Sequence, residues 1–184
     1  MKKSLLFLIP VFFVFIVSSC KKETSTETKE ETSKDTNLKE NFIVEFDVIS
    51  LIQDDFAVYY TEDKTINFTA DKAIWRGVKA QPESQKVIVE FPEEILPTNI
   101  RFDFGINENQ GDIILEKFKI SYYGKSFEVK GSEFFNYFVK NEAINTKIDE
   151  VNGTITFLKN NEKFTTPYFY PNQPILDEIV KITN

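Results

Sequence analysis

From Asn41 onward, apolar and polar residues alternate along the chain with a period of two. In "FIVEFDVI", Phe42, Val44, Phe46 and Val48 stand against Glu45 and Asp47, as in a strand with one buried face. "DFAVYYTE" sets Phe56, Val58 and Tyr60 on one side. The same texture continues through "TINFTA", "KAIWRGV", "QKVIVEF", "TNIRFDFG", "DIILEKFKISYY", "KSFEVKG", "NTKIDEV" and "GTITFLK". Turn material such as "TEDK", "QPES", "NENQG", "YYGK" and "EVNG" separates these runs. Short strands at regular spacing predict an all-β sandwich or barrel. Gly105 and Gly111 are read as the glycines of a strand-turn-strand hairpin.

Two segments break the rhythm. "GSEFFNYFVKN" places Phe134, Phe135 and Phe138 at helical spacing behind Ser132, a candidate cap, and is read as one or two helical turns. "PILDEIVKI" fits both periods, with Ile175, Leu176, Ile179 and Val180 for a helix or Leu176, Val180 and Ile182 for a strand.

The N-terminal pattern is of another kind. Lys2 and Lys3 precede "SLLFLIPVFFVFIV", an apolar run of roughly 14 residues, the length of a signal-peptide core and short of a membrane span. The next residues, Val17-Ser18-Ser19-Cys20, resemble the lipobox of bacterial lipoproteins: an aliphatic residue, two small residues and a cysteine. That resemblance implies cleavage before Cys20, with its thiol carrying diacylglycerol. Affinity for the bilayer grows by about 0.8 kcal/mol per buried methylene, so several acyl chains hold firmly where one would not. Cys20 is the chain's one cysteine, so no disulfide forms within it. Residues 21–40 carry a single aliphatic residue, Leu38, among Lys, Glu, Thr and Ser, a composition too polar to offset ordering entropy. The organisation expected is a signal peptide over 1–19, a lipidated cysteine with a disordered tether over 20–40, and a folded domain over 41–184. Lys21, not an aspartate, follows the cysteine; by resemblance to the sorting of bacterial lipoproteins this implies a cell envelope, at the outer rather than the inner membrane.

Charge and composition narrow the function. The net charge of −7 becomes more negative once Lys2 and Lys3 are lost, and no basic cluster offers itself to phosphates, so nucleic acid is not an expected partner. There is no histidine, which removes the usual metal ligand, the usual general base and every Ser-His or Cys-His arrangement. No cofactor is implied. An enzyme would need a carboxylate-only mechanism, for instance a glycosidase. Asp54-Asp55 and Glu93-Glu94 do not supply its opposed pair by themselves, because neighbours on a strand point apart. The expectation is therefore a protein without catalytic residues.

The aromatics carry the candidate chemistry. Of 19 Phe, most are expected in the core, apart from Phe7, Phe12, Phe13 and Phe15 of the leader. Tyrosines favour half-wet positions where the hydroxyl finds a partner. Tyr59-Tyr60 and Tyr122-Tyr123 must each send one ring to either side of a strand, and Tyr168 and Tyr170 share a side. Outward rings beside Asn, Asp and Gln suit a sugar, whose apolar face stacks on a ring while its hydroxyls take hydrogen bonds. Tyr59, Tyr122, Tyr168 and Tyr170 are the candidate carbohydrate-binding residues, weighed against a plain cross-strand aromatic ladder. Trp75 is read as a core anchor. Asp103, Asn107, Glu108, Asn109 and Asp112 are oxygen donors of the kind calcium takes, but their spacing matches no EF-hand loop, and the stretch is read as a solvated hairpin.

"DDFAVYYTED" and "VIVEFPEEILPTNIRFDFGINENQGDIILEKFKI", with the strand "RFDFG" and the following I-x-L-x-x-F-x-I run, resemble the jelly-roll accessory domains of bacterial cell-envelope proteins. The resemblance implies a single jelly-roll-like β-sandwich, to which the helical spacing in "GSEFFNYFVKN" adds one short helix. It also implies a binding or structural role, with a polysaccharide or an envelope protein as partner and the membrane reached through the lipid.

Overall fold

The computed structural model describes residues 41–144, 146–158 and 164–184. The signal peptide, Cys20 and the tether expected over 20–40 lie outside the described residues. Among the described residues, eleven strands form two antiparallel sheets: β1 (Ile43–Ser50), β2 (Asp54–Thr61), β3 (Ala73–Val78), β4 (Gln81–Glu90), β5 (Asn99–Phe104), β6 (Ile113–Tyr122), β7 (Lys125–Lys130), β8 (Phe138–Lys140), β9 (Thr146–Asp149), β10 (Thr154–Phe157) and β11 (Tyr168–Pro171). One sheet runs β4-β1-β6-β10-β9, with β7 also paired to β6, and the other runs β3-β2-β5-β11-β8. Helix α1 (Gln173–Thr183) closes the chain. β2–β3, β6–β7 and β9–β10 are hairpins within a sheet, while every other step changes sheet, as jelly-roll-like wiring does. The fold is an all-β sandwich.

Alternation explains which face each strand buries. Val44, Phe46 and Val48 of β1 point inward, as do Phe56, Val58 and Tyr60 of β2 and Ile100, Phe102 and Phe104 of β5. The two sheets meet through phenylalanine. Phe46 lies edge-on to Phe102 at 4.9 Å, and Phe118 lies edge-on to Phe102 at 5.6 Å. A 3₁₀ turn over Gly131–Asn136 inserts Phe134, whose ring stacks on Phe138 of β8 at 4.6 Å. Each such pair adds about 0.5–1.5 kcal/mol to the burial of its area.

Strand β6 carries the wiring of its sheet. Its register against β1 jumps from Asp47↔Lys117 to Val48↔Leu115, a bulge that lets its far edge pair with β10 at one end and β7 at the other. Gly131 packs against the backbone of that bulge: a Cβ there would stand 1.8 Å from the Leu115 carbonyl oxygen. Across the sandwich's β3/β4 side, Arg76 Nε donates to the Ile88 carbonyl at 2.9 Å, and Gln85 exchanges two hydrogen bonds with the Lys79 backbone at 2.9 and 2.7 Å. Side chains thus satisfy backbone groups of edge strand β4 and of the β3–β4 connection.

Two expectations are corrected, and one segment that its periodicity left open is settled. "TINFTA" is no strand: both edges of β2 are already taken by β3 and β5, and the Asp63 carboxylate folds the segment into a turn by accepting from Thr65 N at 3.0 Å and Thr65 Oγ1 at 2.8 Å. The segment Gly105–Asp112 is not a hairpin turn, because β5 and β6 belong to different sheets. "PILDEIVKI" is helical, with Ile175, Ile179 and Ile182 buried on one side and Asn172 accepting from Gln173 N as the cap.

Candidate functional site

Because Phe56, Val58, Phe102 and Phe104 point inward, their neighbours on β2 and β5 point out. Register sets these outward residues side by side. Tyr59 lies opposite Arg101, Ala57 lies opposite Asp103 on one side and Trp75 on the other, and Tyr168 lies opposite Asp103 from β11. Tyr170 continues the β11 face one step along. The outer face of this sheet is thus a mosaic of rings around a single ion pair.

Arg101 and Asp103 form that pair in fork geometry. Nε donates to Oδ1 and Nη2 to Oδ2, each at 2.8 Å, and the two side chains are only 15% and 8% exposed. Rings enclose the guanidinium: its carbon lies 4.1 Å from the Tyr59 centroid, 4.8 Å from Tyr168, 5.6 Å from Phe68 and 5.9 Å from Tyr170. Phe68 reaches the cluster from the turn after β2 and packs on Tyr170 at 6.1 Å. Asn141 Nδ2 donates to the Tyr168 hydroxyl, which fixes that ring's far end. Trp75 stands 6.4 Å from Tyr59 at the rim of the cluster.

Electrostatics follow from this packing. Burial pushes the Asp103 carboxyl above the usual range, and the Arg101 guanidinium pulls part of that back. Burial also raises the Tyr59 phenol, with the Asp103 charge adding to it and Arg101 opposing. Tyr168 is raised by burial first and by Tyr170 next. Both phenols are therefore neutral at physiological pH and keep their O–H donors.

The other sheet presents a different exterior. Glu45 and Asp47 of β1 meet Lys119 and Lys117 of β6 at 3.7 and 2.8 Å, and Lys86 of β4 lies 3.8 Å from Asp47. Opposite charges in register across three strands make a solvated ladder.

No family model, curated protein or solved structure matches this chain. The site is therefore read from its own chemistry.

Of the four tyrosines singled out in the sequence, Tyr59, Tyr168 and Tyr170 come together on one face. Tyr122 does not join them: it ends β6 in the other sheet and packs edge-on to Tyr123 at 4.7 Å. Trp75 is corrected from core anchor to rim, since it is 42% exposed. On β3 it falls in the outward phase, across from the small Ala57, whose methyl leaves the ring on the surface. The sequence reading missed Arg101, Phe68 and Asn141. One signal was available for Arg101: "RFD" puts Arg and Asp two apart, on one side of a strand.

The oxygen-rich stretch is distributed instead of gathered. Asp103 turns to Arg101, Asp112 accepts from Thr156 Oγ1 at 2.7 Å, and Asn107 Oδ1 accepts from Asn109 N at 2.9 Å. Among the described residues, no three acidic or thiol side chains converge in a metal-binding group. Also among them, no helix is long and apolar enough to cross a membrane.

Proposed function

We propose that this protein is a lipid-anchored cell-envelope lipoprotein whose sandwich is a non-catalytic module for polysaccharide. One observation carries the reading: Tyr59, Tyr168, Tyr170 and Trp75 share the outer face of one sheet with a fixed Arg101–Asp103 pair. Rings offer faces to stack on, and the polar groups between them are held in place before any ligand arrives, which lowers the entropy lost on binding. Strand spacing of about 4.8 Å puts Trp75 of β3 and Tyr168 of β11 roughly 14 Å apart, a span suited to an oligosaccharide rather than one sugar. The lipobox-like Val17–Cys20 supplies the membrane anchor, and the outer membrane is the proposed address.

Affinity electrophoresis of the whole chain through gels containing cell-wall and plant polysaccharides tests the binding. Retardation by at least one polymer is expected, with Tyr59→Ala and Tyr168→Ala weakening it about tenfold or more. Migration unchanged in every gel would refute the glycan reading. For the anchor, Cys20→Ser should move the protein from the membrane to the soluble fraction.

A second reading, attachment to an envelope protein, is favoured by a different feature. Leu51, Ile52, Pro82 and Ile114 line an open groove at the loop end of the sandwich, with Leu51 64% exposed. Cross-linking on intact cells distinguishes the two, since Leu51→Lys would abolish a protein adduct without altering polysaccharide retardation.

A further inference from the structure

We infer that the aromatic face selects uncharged polysaccharides over polyanionic ones, and that Asp103 sets this choice by occupying Arg101. The inference rests on the glycan reading above and names its ligand class. A guanidinium framed by rings is ordinarily a carboxylate or sulfate receptor, because its fork matches two oxygens. Here the fork is filled from within the strand. Nε and Nη2 of Arg101 both go to Asp103, and among the described residues Nη1 is left to donate to a ligand hydroxyl.

Two lysines at the ends of this sheet's strands, one before β3 and one closing β8, are engaged as well. Lys72 pairs with Glu62 at 3.1 Å, and Lys140 lies 3.5 Å from Glu142 and donates to the Thr146 carbonyl at 3.3 Å. Asp55, in the outward phase of β2 beyond Ala57, is exposed. The face therefore carries no surplus of positive charge, and the whole chain is at −7. A polyuronate would have to displace Asp103 from its two bonds and approach an acidic protein. A neutral glycan does neither: its hydroxyls use Nη1 and the phenolic groups of Tyr59 and Tyr170, and its apolar faces meet the rings.

Two classes of polymer test this on the whole chain: neutral glucans, mannans, galactans and xylans, and the polyanions polygalacturonate and alginate. The expected result is binding within the neutral class, with both polyanions weaker by about tenfold or more. The decisive variant is Asp103→Asn, which keeps the shape of the side chain and releases Arg101. It should gain retention on polygalacturonate, and that gain should vanish near 1 M salt, where the screening length falls to about 3 Å.

Equal or tighter wild-type binding to the polyanions would overturn the inference and leave the glycan reading standing. So would an Asp103→Asn protein, folded by circular dichroism, that stays indifferent to polygalacturonate. Retention on no polymer of either class would remove both. If Asp103→Asn does not fold, wild-type retention on the two classes decides alone.

Discussion

At the scale of single residues, the strongest constraints sit where a strand end meets a loop. Asp54 is buried and accepts four hydrogen bonds: from Asp55 N at 2.8 Å, Ile106 N at 2.6 Å, Asn107 N at 3.0 Å and Gln110 Nε2 at 2.9 Å. Removing that acceptor leaves several donors unpaired, so Asp54→Ala should lose about 2–4 kcal/mol, read as a lower urea midpoint. Gly105 beside it has φ +93°, and a Cβ would come within 1.8 Å of Gln110 Nε2 and 2.2 Å of Asp54 Oδ2. Gly105→Ala should therefore destabilise by at least about 1–3 kcal/mol, the range for a strained backbone alone. Asp103 gives a pH signature of known sign. Its folded pKa is raised by burial, so the native state holds the proton more tightly than the unfolded chain does. Its contribution is most favourable below the unfolded value near pH 4 and is lost as pH rises towards the folded value. Urea midpoints of wild type should accordingly fall relative to those of Asp103→Asn across that window. A rise would contradict the direction of the shift.

At the scale of elements, the alternation from Phe42 to Phe157 was legible because period two and one buried face define a strand without reference to its neighbours. Segments whose state depends on a neighbour were not. "TINFTA" has strand composition, but β2 had no free edge to give it, and no local pattern announces that. The last segment was ambiguous because Ile175, Leu176, Ile179, Val180 and Ile182 satisfy both periods. Burial of Ile175, Ile179 and Ile182 at steps of four and three settles it, together with Pro174 in the first turn, where a missing N–H is harmless. The helix makes a paired prediction. Ile179→Ala should cost about 2–4 kcal/mol, whereas Val180→Ala, one residue on and 55% exposed, should stay within about 0.5 kcal/mol. Equal effects in thermal melts would mean that α1 is rotated from its described face.

At the scale of the molecule, the two exteriors of one sandwich differ in kind, and this could not be read from the chain. The sequence shows that Tyr59 and Tyr168 point away from their own strands' inward residues; only strand order shows that both border β5 and so share Arg101. Tyr122 lands in the other sheet, in phase with the buried Phe118 and Ile120 and packed against the core, so a tyrosine pair at a strand end did not by itself mark the binding face. The asymmetry yields a prediction that separates a binding face from general surface chemistry. Glu45, Asp47, Lys86, Lys117 and Lys119 form cross-strand pairs open to solvent, where salt screens them and each adds little. Replacing Lys117 and Lys119 by Gln removes two positive charges from that face while leaving Tyr59, Trp75, Arg101 and Tyr168 untouched. Polysaccharide retardation should be unchanged in this double variant and should drop in Trp75→Ala, although Trp75 contributes little to the core from its rim position. Were the lysine variant the one to lose retardation, the charged sheet would be the binding surface, and the rings around Arg101 would be a stabilising ladder of the sheet that bears them.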